Sequence, residues 1–573
     1  MHDLLIKNGL VVDGTGTPPA HADIAVDDAM IVQVGSVDGK AKRIIDAEGL
    51  LITPGFVDIH THYDGQVTWD PMLTPSTWHG VTTAVFGNCG VGFAPVDPDR
   101  HEWLIGLMEG VEDIPGTALH EGIQWQWETF PEYLDYLERH HYGVNIGTQV
   151  PHGAVRAYVM GERGAANEPA SRQDIERMAC IVREGIEAGA LGFSTSRTIA
   201  HRAIDGRNVP GTFAAEDELF GIGRAMPAGV FELAPAGVTG DDLSLPDKEV
   251  EWMRRLALET GRPVTFALVQ YNADRDQWRQ ILNASATAAA EGAQLYPQCH
   301  GRLVGGLLGL TARHPFERLP AFAELKDLQP AAQAARLADT ALKSSLLEQA
   351  QAMGIAHSGL VNFERMYPME DPPNYEPDAS NSIQAMADRS GQSPLAVMLD
   401  VMQKNQGRQL LLLGLFNYTD GNLDAAKSML EHPCSVIGLS DGGAHCGAIS
   451  DGSTPTFMLT HWARDRKRGL LPLEFVVKKQ TSDTARLYGL NDRGVLAPGY
   501  RADINVIDHA ELALEAPEMV HDLPAGGGRF IQKARGYRAT LVAGEVVMQD
   551  GEDTGARPGR LIRGSQPAPT QAR

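Results

Sequence analysis

His60-Thr61-His62 is the sharpest chemical signal in the chain, two imidazoles at the end of the apolar run TPGFVDIHTHYD. On an extended backbone residues i and i+2 share a face, so both rings can reach one cation, and Zn²⁺ takes imidazole nitrogen at about 2.0–2.1 Å. Alone, an HxH is as well explained by two histidines facing solvent at a strand end. The apolar strand before it and further donors downstream turn the reading to metal. Cys89, in FGNCGVG, offers a thiolate that could hold zinc or bridge two metals. A lone Cys is more often a small buried hydrophobe, but the surrounding glycines fit close backbone approach better than ordinary packing. Asp441, in GLSDGGAHCG, offers a carboxylate that can take a proton from activated water and hand it to a leaving group. Asp-Gly is also a frequent turn, and only the pairing with HxH lifts Asp441 above that reading. His60, His62, Cys89 and Asp441 are thus the expected metal set, with Asp441 also catalytic.

These residues need a frame that gathers strand ends. About eight short apolar runs alternate with helical segments: GFVDIHTH, VTTAVFGNCG, VNIGTQVPHG, ALGFSTSR, GVFELAP, RPVTFALVQ, QLYPQCHG and SVIGLSDGGAH. That is the count of a closed parallel (β/α)₈ barrel, an α/β fold whose active face lies at the C-terminal strand ends. In such a barrel strands one and eight are neighbours, which would set Asp441 beside the histidines. The first fifty residues and the C-terminal part read instead as hairpins. The chain therefore divides into a small β-sandwich built from both termini (1–53 and 485–573) and a catalytic barrel (54–484). The barrel carries two insertions. One, at about 95–140, holds Trp103, Trp125 and Trp127; the other, at about 311–435, is mostly helical by pattern and contains MYPMEDPPNYEPD. Such insertions serve as lids or oligomer contacts, and a homo-oligomer is expected.

Composition narrows the partners. With 49 basic and 73 acidic residues the net charge is −24, which disfavours nucleic acid and anionic lipid and leaves a small molecule as the expected substrate. Five isolated cysteines, at 89, 180, 299, 434 and 446, make no disulfide framework and fit a reducing, cytoplasmic setting. The start, MHDLLIKNGLVVDG, lacks the features of a secretory signal, and no apolar stretch approaches the length of a membrane span.

The segments GFVDIHTHYD, GVTTAVFGNCG, PHGAVRAYVMG, GALGFSTSR, LSDGGAHCG and GVLAPGYRADINVID resemble the amidohydrolase superfamily. GNCG and GFSTS narrow the resemblance to its N-acyl-D-amino-acid deacylase (D-aminoacylase-like) group. The resemblance spans almost the whole chain. It implies a TIM-like barrel beside a β-sandwich, one or two zinc ions, water attack on an amide carbonyl, and an aspartate as general acid/base. Carried over, His60 and His62 are first-strand ligands, Cys89 the thiolate ligand and Asp441 the proton shuttle. Two parts of the family pattern are missing. The family adds a His from strand five and another from strand six, yet VFELAPAG and VTFALVQYN contain none. The strand-six Lys that takes the substrate carboxylate also has no counterpart. Glu232 or Gln270 could substitute in part, although Glu232 could equally point into the core.

Other polar strand ends could compensate: His152, Ser194, Ser196, Arg197, His201, Arg202, Gln298, His300, Arg302 and His445. Arg197 or Arg302 could grip a carboxylate as a bidentate fork, and His152 or His300 could polarise a carbonyl. Each could as well be a cap or a loop anchor. His201 and His300 come first, because they stand among other site-like residues. The substrate-binding set is therefore His152, Ser194, Arg197, His201, His300, Arg302 and His445. The mixed-charge runs DRDQWRQ and WARDRKRG read as solvated helix faces.

Three function classes follow. The leading one is a metal-dependent hydrolase of an N-acyl amino acid or a related acylated or cyclic amide. The second is a catalytically reduced barrel acting as a binding or assembly protein, favoured by the missing histidines and disfavoured by the retained HxH, Cys89 and SDG. The third, a decarboxylase or isomerase on the same fold, has no positive sign.

Overall fold

The structure is a computed structural model that describes residues 1–570 apart from 241, 243, 358–360 and 450. Strands from both ends of the chain build one nine-stranded sheet. At its centre Leu51–Pro54 pairs in parallel with His2–Val11 and antiparallel with Ile504–Ile507. Period-two alternation sends Leu4, Ile6, Ile24, Val26, Ile52, Ile504, Val506 and Leu541 into a common apolar core.

Next come eight parallel strands: β1 (Phe56–Asp58), β2 (Val81–Phe86), β3 (Asn145–Thr148, resumed as Val150–Pro151), β4 (Gly192–Ser196), β5 (Val230–Ala234), β6 (Val264–Leu268), β7 (Leu295–Cys299) and β8 (Val436–Ile437). Each pairs in parallel with the next in order. A parallel bridge between Thr61 and Gly442 joins the segment after β1 to the segment after β8. The strands are almost wholly buried, as strands covered by helices must be. Arg172–Glu187, Glu216–Ala225, Leu245–Thr260 and Gln277–Ala290 are the longest of the helices linking β3 to β7 among the described residues. The 16-residue helix Arg172–Glu187 starts at a capping box in which Ser171 and Asp174 satisfy each other's backbone N–H.

The first insertion is helical: α1 (His101–Glu112), α2 (Gly116–Gly122) and α3 (Phe130–Glu138). Its tryptophans pack against the main core, with Trp127 buried, so they form no exposed aromatic face. The second insertion is mostly helical between residues 311 and 435, with helices such as Pro330–Leu337, Thr340–Ala352, Ile383–Ser390 and Pro394–Met402, and it adds strands that periodicity did not show. It opens directly after β7 and contains a three-stranded antiparallel sheet of Val304–Leu308, Leu411–Phe416 and Met366–Pro368. Its own core includes Phe316, Phe322, Leu346, Met398 and Leu411. The run LLLGLF is too short and too uniformly apolar for periodicity to separate strand from helix. The C-terminal segment returns to the parallel strands, where Gly559 bridges Tyr142 and Leu561 bridges Ile146. Among the described residues no helix is long and apolar enough to cross a membrane.

Candidate metal centre

β1 ends at Asp58, and the HxH lies just beyond it in chain kept extended by Thr61. His62 N–H donates to the Gly442 carbonyl at 2.8 Å, and Asp441 N–H donates to the His60 carbonyl at 3.1 Å. These two bonds fasten the segment after β8 to the HxH, so Asp441 lies over the imidazoles. Asp441 Oδ1 is 3.5 Å from His60 Nε2 and 3.6 Å from His62 Nε2. Cys89 Sγ is 3.5 Å from the same His60 Nε2. One ligand atom each of His60, His62 and Cys89 lies within 4.8 Å of the others, and all three residues are buried. The stretches 60–62, 89 and 441 thus converge as the sequence pattern requires.

Backbone conformation aims these groups. Cys89 has φ 54°, Asp441 φ 46° and His445 φ 51°. Left-handed φ is costly for residues with a Cβ and persists only where the surroundings over-determine it. Cys89 is held on both sides. Ser194 Oγ donates to the Gly87 carbonyl and accepts Gly90 N–H, and Cys89 N–H donates to Glu232 Oε2 at 2.9 Å.

The ring nitrogens that face away from the cluster also have neighbours. His60 Nδ1 lies 2.9 Å from Gln298 Oε1, and His62 Nδ1 lies 3.4 Å from Glu112 Oε1. Glu232 Oε1 is 3.9 Å from His60 Nδ1. A hydrogen on each Nδ1 leaves the Nε2 lone pair directed at the cluster, which is the tautomer a metal needs.

The electrostatics call for positive charge. Burial, then Glu232 and the other nearby carboxylates, push the Cys89 thiol well up. Burial, only partly offset by the Cys89 N–H, raises Glu232 to about 8, and burial raises Asp64 to about 7. Burial pushes the His62 ring down, but Glu112 and Asp441 outweigh it and bring it to about 9. Burial likewise pushes the Asp441 carboxyl up, yet His62, His60 and His445 hold it well below the usual carboxylate range. His62 Nδ1, Glu112 Oε1 and Glu232 Oε1 are buried with no hydrogen-bond partner. A thiol, a carboxylate and two imidazoles in a buried, acid-rich pocket fit a divalent cation such as Zn²⁺.

The seven residues read as substrate contacts divide. His445 faces the cluster, its Nε2 3.8 Å from Asp441 Oδ2. His201 bonds Ser196 through Nδ1 at 2.9 Å, and it feels the charges of His445, His62 and Asp441. The other five bond to protein partners. His152 is locked between Thr195 Oγ1 and Glu218 Oε1 at 2.8 and 2.9 Å. Ser194 braces the Cys89 turn as described. Arg197 already grips a carboxylate, that of Glu249, at 2.8 and 3.1 Å. Arg302 is buried against Asp451, Ser453 and the Tyr375 ring. His300 Nδ1 bonds the Leu439 carbonyl at 2.7 Å, two residues before Asp441. Ser194 and His300 brace the segments that carry Cys89 and Asp441, while His152, Arg197 and Arg302 are engaged by partners on other segments. Gln270 is likewise engaged away from the cluster, by Asn417 and Asp420. Sequence reasoning missed Glu112, which reaches the cluster from α1 and has no spacing that ties it to the strands.

The profile of the amidohydrolase family matches residues 43–548. The chain belongs to the amidohydrolase family. Within it the chain is D-aminoacylase-like, a metal-binding hydrolase of carbon–nitrogen bonds other than peptide bonds. D-aminoacylase of Alcaligenes xylosoxydans xylosoxydans is 26% identical over 571 residues, covering 98% of this chain and 97% of the relative. N-acyl-D-aspartate deacylase of the same organism is 26% identical over 565 residues, with 98% and 95% covered. Among solved structures, D-aminoacylase superposes with a TM-score of 0.67 at 23% identity, covering 98% of this chain and all of that one. At that identity the likeness speaks for the fold of this amidohydrolase, and its substrate has to be argued from its own residues.

Proposed function

We propose that this amidohydrolase cleaves the amide bond of an N-acyl amino acid or a related acylated or cyclic amide. The site is the open end of a closed (β/α)₈ barrel spanning about residues 54–484, with the accessory β-domain drawn from 1–53 and 485–573. One observation carries the reading: His60 Nε2, His62 Nε2, Cys89 Sγ and Asp441 Oδ1 converge from three separate stretches. A single divalent cation held by His60, His62, Cys89 and Asp441, Zn²⁺ first, would supply carbonyl polarisation and a lowered water pKa. One ion suits the donor set, because β6 contributes no ligand type and β5 contributes only Glu232, whose Oε2 accepts the Cys89 N–H and whose Oε1 lies 3.9 Å from His60 Nδ1, the ring nitrogen that faces away from the cluster.

The protein's own groups carry the proton. Asp441 stays ionised through neutral pH, since His62, His60 and His445 outweigh its burial. Its carboxylate takes the proton of the attacking water and delivers it to the departing nitrogen. The Asp441 side chain is 20% exposed, so it meets both the buried donors and the substrate side. His445 and His201 are the residues available to orient the amide.

The test joins metal analysis of natively purified protein to turnover of a panel of N-acyl-D- and N-acyl-L-amino acids and simple amides. About one equivalent of metal, and hydrolysis abolished by chelation and restored by Zn²⁺, is the expected result. Protein that takes up no metal and turns over none of the panel would overturn the proposal.

A further inference from the structure

We propose that Glu112 is a positioning residue, one that acts through His62 to set the metal affinity of the site; the inference rests on the metal reading above. Glu112 is the last residue of α1, outside the parallel strands, and is 2% exposed. Its Oε1 faces His62 Nδ1 at 3.4 Å, and both atoms are buried without a hydrogen-bond partner. Its Oε2 is 3.9 Å from His445 Nε2, and its backbone carbonyl accepts the His445 N–H. Asp113 follows in the left-handed region at φ 53°, and its Oδ2 accepts Gly447 N–H at 3.1 Å. The end of α1 therefore grips the 445–447 loop while presenting a carboxylate to the rear of one imidazole.

An imidazole offers a cation only one lone pair, and which nitrogen offers it depends on where the hydrogen sits. A carboxylate behind Nδ1 retains the hydrogen there, directs the Nε2 lone pair at the cluster and makes that nitrogen more basic. His60 receives the corresponding service from a neutral amide, Gln298. The two imidazoles are thus unequally backed.

The test is the metal dissociation constant, measured by chelator competition on the whole protein. Glu112→Gln keeps the shape and removes the charge, and it is expected to weaken Zn²⁺ binding about 10–100-fold. The visible absorption of the Co²⁺-loaded protein should change as well. In a His62→Ala background Glu112→Gln should change affinity less than twofold. Glu112→Ala serves as the second variant should Glu112→Gln fail to fold. Wild-type affinity in a folded Glu112 variant, or an equal loss in the His62→Ala background, would overturn the role of Glu112 alone. A wild-type protein with no metal affinity would overturn the metal reading together with it.

Discussion

Asp441 is the residue whose replacement tests the chemistry most directly. Asp441→Asn keeps the volume and one oxygen but cannot accept the water proton, so turnover should fall about 10²–10⁴-fold with the fold retained. Steady-state kinetics beside circular dichroism checks both. Away from the centre, Glu218 lies buried between His152 and Arg156, 2.9 Å from each. Burial pushes its carboxyl up, but His152 and Arg156 outweigh that and hold it at about 2, against 4.5 unperturbed. A depressed carboxyl contributes stability that is present above the unperturbed value and lost as pH falls toward the folded one. The gap in unfolding midpoint between wild type and Glu218→Gln should therefore be widest near neutral pH and shrink between pH 4.5 and about 2. At neutral pH that substitution leaves Arg156 buried without its counter-charge, at a cost of about 3–5 kcal/mol. At this scale the convergence of His60, His62, Cys89 and Asp441 was legible because each ends a strand-like run. The fates of Arg197 and Arg302 were not, because Glu249 and Asp451 lie 52 and 149 residues further along.

The turn after β2 shows how an element delivers Cys89 to the cluster. Gly90 has φ +70°, and a Cβ there would stand 2.8 Å from Ser196 N and 2.9 Å from Thr195 Cα, both backbone atoms of β4. Gly90→Ala cannot be relieved by a side-chain rotation; it must move the turn away from β4 and carry Cys89 with it. Stability should drop by more than about 1 kcal/mol, and metal affinity should drop at least tenfold with it. Urea unfolding and chelator competition on the same preparation separate the two effects. Strand order was readable from the alternation of apolar runs and helical segments. The sheet in the second insertion was hidden, because Met366–Pro368 and Leu411–Phe416 meet only in three dimensions. The link from α1 to the centre was hidden for the same reason: amphipathic periodicity says which face of a helix is buried, not what its final carboxylate will touch.

At the scale of the molecule, the parallel strands depend on a tail far away in sequence. Gly559 and Leu561 bridge Tyr142 and Ile146, and Arg563 pairs with Asp135 and Glu138. Ending the chain at residue 556 removes these contacts and uncovers the start of β3. The truncated protein should unfold several degrees below the full chain in a thermal melt, and an unchanged midpoint would show the tail to be dispensable. Composition had already pointed to an acidic chain and a small-molecule partner, but no periodicity foretold that the last segment folds back on β3. The shared sheet also has a consequence for biosynthesis. Leu51–Pro54 needs Ile504–Ile507 as its neighbour, yet hundreds of residues separate their emergence from the ribosome. At about 5–20 residues per second, the nascent chain carries that bare apolar edge for roughly 20–90 s. Its safe arrival depends on whatever shields unpaired strands in the cell during that interval.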